Sequence, residues 1–334
     1  MHTLYLHFLH LPMTNIINLL IIYLYIIHKY ANFIHNIISS QIKMEAVLEG
    51  ILKDIFLVKP STGSTDRKWQ YPFSNKLSHI YNFKDAQSLL ELSHRVSVHN
   101  WQTDDSDPVK LDPPNFDIIL PINTTLLYIE EVNVLWFFYS TSLNIAMITY
   151  TGTYCNMLYL VDLNYTQQDP IGINNYITDM KIHGGFWAFY QNIQSQLLSF
   201  LNTYVNKDTQ LVITGMSLGG AMSTITMLDL YDRKLDNGIT IHNIVHYSFA
   251  SPRVFNTKGA KYYNSLNLTS HRIQNASDII TTVPFPVMMI SVSPVVTQDF
   301  THVNGLQYFD INLENYYDNH IQAYLKQYKI VPVI

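Results

Sequence analysis

The stretch Leu211-Val-Ile-Thr-Gly-Met-Ser-Leu-Gly-Gly-Ala221 constrains the fold of this chain more than any other. A short apolar, β-branched run from Gln210 to Thr214 reads as a buried strand, and a helical pattern follows from Leu218 to Asp232. Only Gly215, Met216 and Ser217 separate the two. A strand that turns into a helix so abruptly puts the apex residue, Ser217, in a strained backbone conformation, and its neighbours must be small. Gly215 and Gly219 avoid clashes with the strand and the helix start, while Gly220 and Ala221 let the helix lie close to the sheet. G-x-S-x-G between a strand and a helix is the arrangement of a nucleophile elbow. The amide of Leu218, at the helix N-terminus, then points to where an oxyanion would form.

The remaining patterns agree with a layered α/β architecture. Val134 to Tyr139 and Ile145 to Tyr150 read as strands joined by a turn, Ser140 to Asn144. His183 to Asn206 reads as a long helix, Ile244 to Ala250 and Ser270 to Asn275 as strands, and Asn319 to Lys329 as a closing helix. Upstream, Phe83 to Val98 has helical spacing, with loops at Lys59 to Lys76 and Asp104 to Pro114. Strands alternating with helices predict a mostly parallel central sheet flanked by helices, the α/β-hydrolase arrangement when an elbow is present.

A nucleophilic serine needs a base and an acid that orients it; on such a fold they follow in the order Ser, acid, His. Asp278 lies in the loop just past a predicted strand's C-terminal end, at the edge of the sheet where ligands bind. Asp310 and Asp318 are rivals, although no strand is predicted to lead into either. His302 and His320 both follow; His320 opens the last helix and His302 sits in the turn-like T-H-V-N-G.

Several ordered motifs discriminate among these. Gly215 to Ala221 resembles G-H-S-L-G-G-A, with Met216 at the His position. His183 to Phe186 resembles H-x-G-F, and Phe249 to Asn256 resembles F-G-x-P-R-V-G-N. Arg272 to Pro284 resembles R-V-x-N-x-x-D-x-V-P with extra residues before the closing V-P. His320 to Tyr324 resembles H-x-x-Y with the Tyr one residue later. From about Val132 to its end the chain thus resembles the class 3, fungal-lipase-like family. The resemblance implies Ser217, Asp278 and His320 as catalytic residues, with His302 in a non-catalytic Y-x-H-V-G element. It also likens Tyr150-Thr-Gly-Thr153 to F-R-G-T, with Thr151 at the Arg position. Thr153 is thereby implied as the second oxyanion donor beside Leu218, through its amide and hydroxyl. The apolar run after it, with Met157, Leu158, Tyr159 and Leu160, falls where the family carries a lid; a core element is the competing reading of so short a run. The implied activity is hydrolysis of acylglycerols at a membrane or droplet surface through an acyl-enzyme. The alternatives are a phospholipase A or galactolipase, and an inactive membrane-bound interaction protein.

Composition narrows the partners. A net charge of -5 offers no basic surface for nucleic acid. A single cysteine, Cys155, and no H-E-x-x-H imply no metal, and no cofactor is implied. Residues 1–58 form a hydrophobic extension ahead of a lipase-like domain over 59–334. Within it, Asn15 to Ser39 is apolar enough to span a bilayer and Met44 to Phe56 is amphipathic. A membrane segment, a signal peptide and an upstream extension before a start at Met44 all fit; the first predicts membrane association, the last a cytoplasmic protein.

Overall fold

The computed structural model describes residues 68–101, 111–126, 130–154, 158, 161–162, 164–170, 179–233, 243–292 and 295–332. The proposed membrane segment 15–39 and amphipathic helix 44–56 lie outside them, as do Met157, Tyr159 and Leu160. The described residues fall into two units, the first holding 68–290 and 297–332 and the second holding 291–292 and 295–296. The first contains the central sheet, its helices and every described candidate site residue.

Helix α1 (Phe83–Trp101) starts at Asn82, whose side-chain oxygen accepts from the Lys84 and Asp85 amides at 2.8 and 3.3 Å. Strands β1 (Ile118–Leu126), β2 (Glu130–Ser140) and β3 (Ile145–Tyr150) form an antiparallel meander. Strands β4 (Gln167–Gln168) and β5 (Ile182–His183) make a small ribbon before helix α2 (Gly184–Tyr204). Strand β6 (Gln210–Met216) runs into helix α3 (Leu218–Arg233), and strand β7 (Ile244–Phe249) is followed by helix α4 (Thr257–Ser265). Strand β8 (Ser270–Asn275) is followed by a 3-10 turn, Ile279–Thr282. Strands β9 (Val287–Val292) and β10 (Val295–Asp299) pair with each other, and β11 (Leu306–Phe309) returns to the edge of the main sheet. The chain then closes through a π turn, Asp318–Gln322, into helix α5 (Ala323–Gln327).

The main sheet has seven strands in the order β1-β2-β3-β6-β7-β8-β11, with β3, β6, β7, β8 and β11 parallel. Alternation along the strands sorts its side chains onto two faces. Ile148, Leu211 and Ile213 join Ile193 and Leu197 of α2 and Ile225 of α3 in one core. Met147, Val212 and Val245 join Leu89 and Val96 of α1 and Leu325 of α5 in the other. With both faces covered, β3, β6 and β7 are buried throughout, which explains their unbroken apolar runs. The mostly parallel sheet with flanking helices is as the sequence predicts. Strands β1, β4, β5, β9, β10 and β11 and helix α4 are not anticipated, and the closing helix is shorter than predicted because its first turn is π-helical.

Candidate active site

The elbow is built from backbone contacts. Ser217 has φ +59, and its amide donates to the Phe249 carbonyl of β7 at 2.9 Å, tying the apex to the next strand. The Gly220 and Ala221 amides return to the Ser217 carbonyl at 2.9 and 3.2 Å, starting α3. A side chain at Gly215 would fall on the Gly219 carbonyl, and one at Gly219 would sit 2.7 Å from the carbonyls of Tyr150 and Thr151. Met216 lies in the core. Ser217 is 3% exposed, and its Oγ makes no hydrogen bond. Leu218 is the first residue of α3, where amides have no helical acceptor and face any incoming negative charge.

Asp278 and His320 come together beyond β8. His320 Nδ1 lies 3.0 Å from each carboxylate oxygen of Asp278, and both side chains are buried. Asp278 Oδ1 also accepts from the Ile280 amide at 3.0 Å, capping the 3-10 turn, and Oδ2 from the Tyr324 hydroxyl at 2.9 Å. Burial and the nearby Asp278 charge push the Tyr324 ionisation well above its ordinary range, so it stays a donor. The spacing from His320 to Tyr324, one longer than in the resembling motif, has a structural counterpart. The π turn closes with the Ala323 amide on the Asp318 carbonyl, five residues apart, and this absorbs the extra residue. Asn275 ties the two halves: its Nδ2 donates to the carbonyls of Ile311 and Asn319 at 2.9 and 3.0 Å, and its amide donates to the Tyr324 hydroxyl at 3.0 Å.

The Thr153 side of the site differs from expectation. Its hydroxyl donates to Asp162 Oδ2 at 2.6 Å, and both residues are buried. With that proton committed, the Thr153 amide, not the hydroxyl, is the group left to meet an oxyanion in this conformation. Burial raises the Asp162 carboxyl to about 7, opposed by the Thr153 hydrogen bond. Of the four lid candidates only Leu158 is described, and it is buried in the core with Phe186 and Trp187.

The rival groups are engaged elsewhere. His302 Nε2 lies 2.6 Å from the Thr281 carbonyl, to which it donates. Burial and then the Arg272 charge lower His302 to about 3, so it is neutral and holds the turn after Asp278. A strand, β11, does lead into Asp310, contrary to expectation, but Asp310 is exposed. Asp318 accepts from the Asn315 amide group at 2.7 Å. His183 caps α2, accepting from the Phe186 amide at 3.4 Å and stacking on that ring at 3.7 Å. Burial holds it near 3, so the H-x-G-F motif is structural. Among the described residues no group of three or more His, Cys, Asp or Glu could hold a metal.

Sequence reasoning names Asp278, His320 and Ser217, but misses the anchoring roles of Asn275, Tyr324 and Asp162. Asn275 and Tyr324 stand inside the motifs quoted above, as letters whose partners only the fold reveals, while Asp162 carries no signal of its partner.

Residues 147–288 match the family model described as lipase (class 3). The chain is 30% identical over 110 residues to the lipase of Rhizomucor miehei, covering 32% of this chain and 30% of that protein. It is 25% identical over 181 residues to the secreted mono- and diacylglycerol lipase A of Penicillium camembertii, covering 50% and 56% respectively. It is 26% identical over 129 residues to the phospholipase A1-II 3 of Oryza sativa subsp. japonica, covering 32% and 30%. The chain thus aligns with between 30% and 56% of the length of these relatives. A solved structure of the Rhizomucor miehei lipase propeptide complex superposes with a TM-score of 0.49 at 19% identity, covering 79% of this chain and 86% of that one.

Proposed function

Because residues 147–288 match the class 3 lipase family, we propose that this chain is a lipase-type serine carboxylic-ester hydrolase acting on acylglycerols, like the fungal relatives it resembles. The observation that carries this reading is the positive-φ Ser217 at the elbow, combined with the buried pair His320–Asp278 at the same end of the parallel strands. With Nδ1 bound to the Asp278 carboxylate, His320 has the tautomer in which Nε2 carries the lone pair. His320 takes the Ser217 proton as Oγ attacks the ester carbonyl. Asp278 holds the ring and stabilises its charged form, itself held by Tyr324 and Ile280. The amides of Leu218 and Thr153 receive the oxyanion. The alcohol leaves with the proton from His320, and water then hydrolyses the acyl-enzyme by the same route.

The burial of Ser217 supports a mobile cover: an ester reaches Oγ only when the covering groups move. Met157, Leu158, Tyr159 and Leu160 are the proposed lid, exchanging packing on the protein for contact with lipid. Each such side chain kept from water is worth roughly 1.5–3 kcal/mol, enough for a few to set the balance. Activity should therefore rise sharply when a short-chain ester passes its solubility limit. A smooth saturation curve would remove the lid from the mechanism. The apolar run 15–39 supports membrane association of the full chain; release from membranes by alkaline carbonate would contradict it. A phospholipase A is the second reading, supported by the rice relative.

Labelling by a fluorophosphonate, followed by hydrolysis of a lipid panel that varies in head group, tests the proposal. Wild type should label at Ser217, and Ser217→Ala should neither label nor hydrolyse, a loss on the order of a millionfold in kcat. A Ser217→Ala protein that still hydrolyses a short-chain ester would overturn it. A preference for diacylphospholipid over acylglycerol would select the second reading.

A further inference from the structure

The Thr153 amide sits on a peptide whose other members are held by residues with no place in the triad. The β3–β6 ladder ends at Tyr150 opposite Gly215, and the Thr151 amide still reaches the Val134 carbonyl of β2 at 3.0 Å. One residue on, β6 has become the elbow, so the buried Gly152 amide has no strand beside it to bond. A buried amide without an acceptor is costly, and here the acceptor is a side chain. Ser97 Oγ, on α1, receives the Gly152 amide at 3.2 Å. The Ser97 proton is already given to the Ser93 carbonyl one turn back, at 3.0 Å, so its lone pairs face Gly152. The Thr151 hydroxyl donates to the Gly152 carbonyl at 3.2 Å, in the peptide plane that carries the Thr153 amide. Gly152 is thus gripped at both ends. The grip is close to the chemistry: a Cβ built on Gly152 lies 3.5 Å from Ser97 Oγ and 4.0 Å from Ser217 Cβ.

We infer that Ser97 is a positioning residue for the oxyanion site, acting through the Gly152 amide to aim the Thr153 amide. It stands on α1, outside the segment 147–288 that matches the family, so this part of the active centre is supplied by the preceding helix. The inference rests on the esterase reading above.

The test is steady-state hydrolysis of a soluble short-chain ester by Ser97→Ala, together with the rate of fluorophosphonate labelling and the Tm. Ser88→Ala is the control, because Ser88 makes the same bond back to the carbonyl four residues earlier, Lys84 at 3.2 Å, on the same helix. Loosening the donor should lower kcat about ten- to a hundredfold with KM nearly unchanged. Labelling should slow in parallel, since phosphonylation uses the same donors. Ser97→Thr should restore most of the loss, and Ser88→Ala should match wild type. If Ser97→Ala does not fold, Ser97→Cys fills the same space with a poorer acceptor and must show the same kcat loss. A folded Ala or Cys variant with wild-type kcat overturns the role of Ser97, as does an equal loss in Ser88→Ala. Ser217→Ala tests the esterase reading separately: if it is dead while folded Ser97→Ala is fully active, only the positioning role falls.

Discussion

The elbow after β6 and the oxyanion loop after β3 end neighbouring strands and are proposed to serve one carbonyl, yet they are held by different means. The elbow is held by main chain: Ser217 on Phe249, Gly215 against Gly219, Gly219 against Tyr150 and Thr151. The oxyanion loop leaves β3 with one main-chain bond, Thr151 on Val134, and beyond it is held by side chains: Ser97 on Gly152, Asp162 on Thr153, and Tyr154, whose hydroxyl donates to the Asn133 carbonyl at 3.2 Å. A main-chain site depends on the absence of side chains, so substitution fails by collision. A side-chain site depends on their presence, so substitution fails by loosening. The first should break all at once and the second by degrees.

Gly219→Ala attacks the one residue that belongs to both regions. The new methyl would meet two carbonyls at 2.7 Å, both of them backbone that cannot swing aside. Activity and fluorophosphonate labelling should vanish together, with stability reduced by about 1–3 kcal/mol. An active, normally stable Gly219→Ala enzyme would show that the contact is not as tight as the contrast requires. Asp278→Asn leaves both regions in place and spoils the tautomer of His320, so kcat should fall about ten-thousandfold while the Tm moves little. Thr153→Val removes one side-chain hold and keeps the amide. Its kcat should drop by about tenfold, because the amide donor stays but is no longer held in aim, with KM nearly constant. Unchanged turnover would mean that the Asp162 hydrogen bond does not aim the amide.

Effects on stability against pH do not touch the contrast directly, and they carry opposite signs. Asp162 is raised to about 7 by burial, so between about 4 and 7 the folded chain binds a proton that the unfolded chain has lost, and stability falls as pH rises through that window. Asp162→Asn should therefore gain in Tm relative to wild type between pH 4 and 8. A constant difference would remove the buried charge from the account. His183, His246 and His302 are each lowered to about 3, mainly by burial, so the unfolded chain takes up protons first. Their contribution is present above about pH 6.5 and is lost as pH falls toward 3. In Asp162→Asn, where the opposing carboxyl is gone, a Tm that stays flat from pH 7 to 4 would mean that these rings are charged in the fold.

How much could be read in advance follows the same division. The elbow is legible because its requirements are local: a strand, a serine, a helix and glycines at fixed offsets. Asp278 and His320 are legible by order and motif, since one follows and the other opens an element whose pattern the sequence carries. The loop's supports are not. Ser97 is 55 residues from Gly152 along the chain, and nothing in α1 distinguishes it from Ser93 or Ser88. The Thr153 hydroxyl was expected to face an oxyanion, and only the fold turns it to Asp162. The π turn is hinted at by one extra residue before Tyr324, but its effect, keeping Tyr324 on Asp278, is visible only in three dimensions.

The sequence by itself therefore determined the layered fold, the strained serine and the order of the acid and base. These follow from periodicity and steric exclusion, which act within a few residues. Tertiary structure alone decided that the Thr153 hydroxyl turns to Asp162, which carboxyl burial raises and which helix reaches the loop. Hydrogen bonds and burial are settled by whichever groups packing brings within about 3 Å, and chain distance does not encode that.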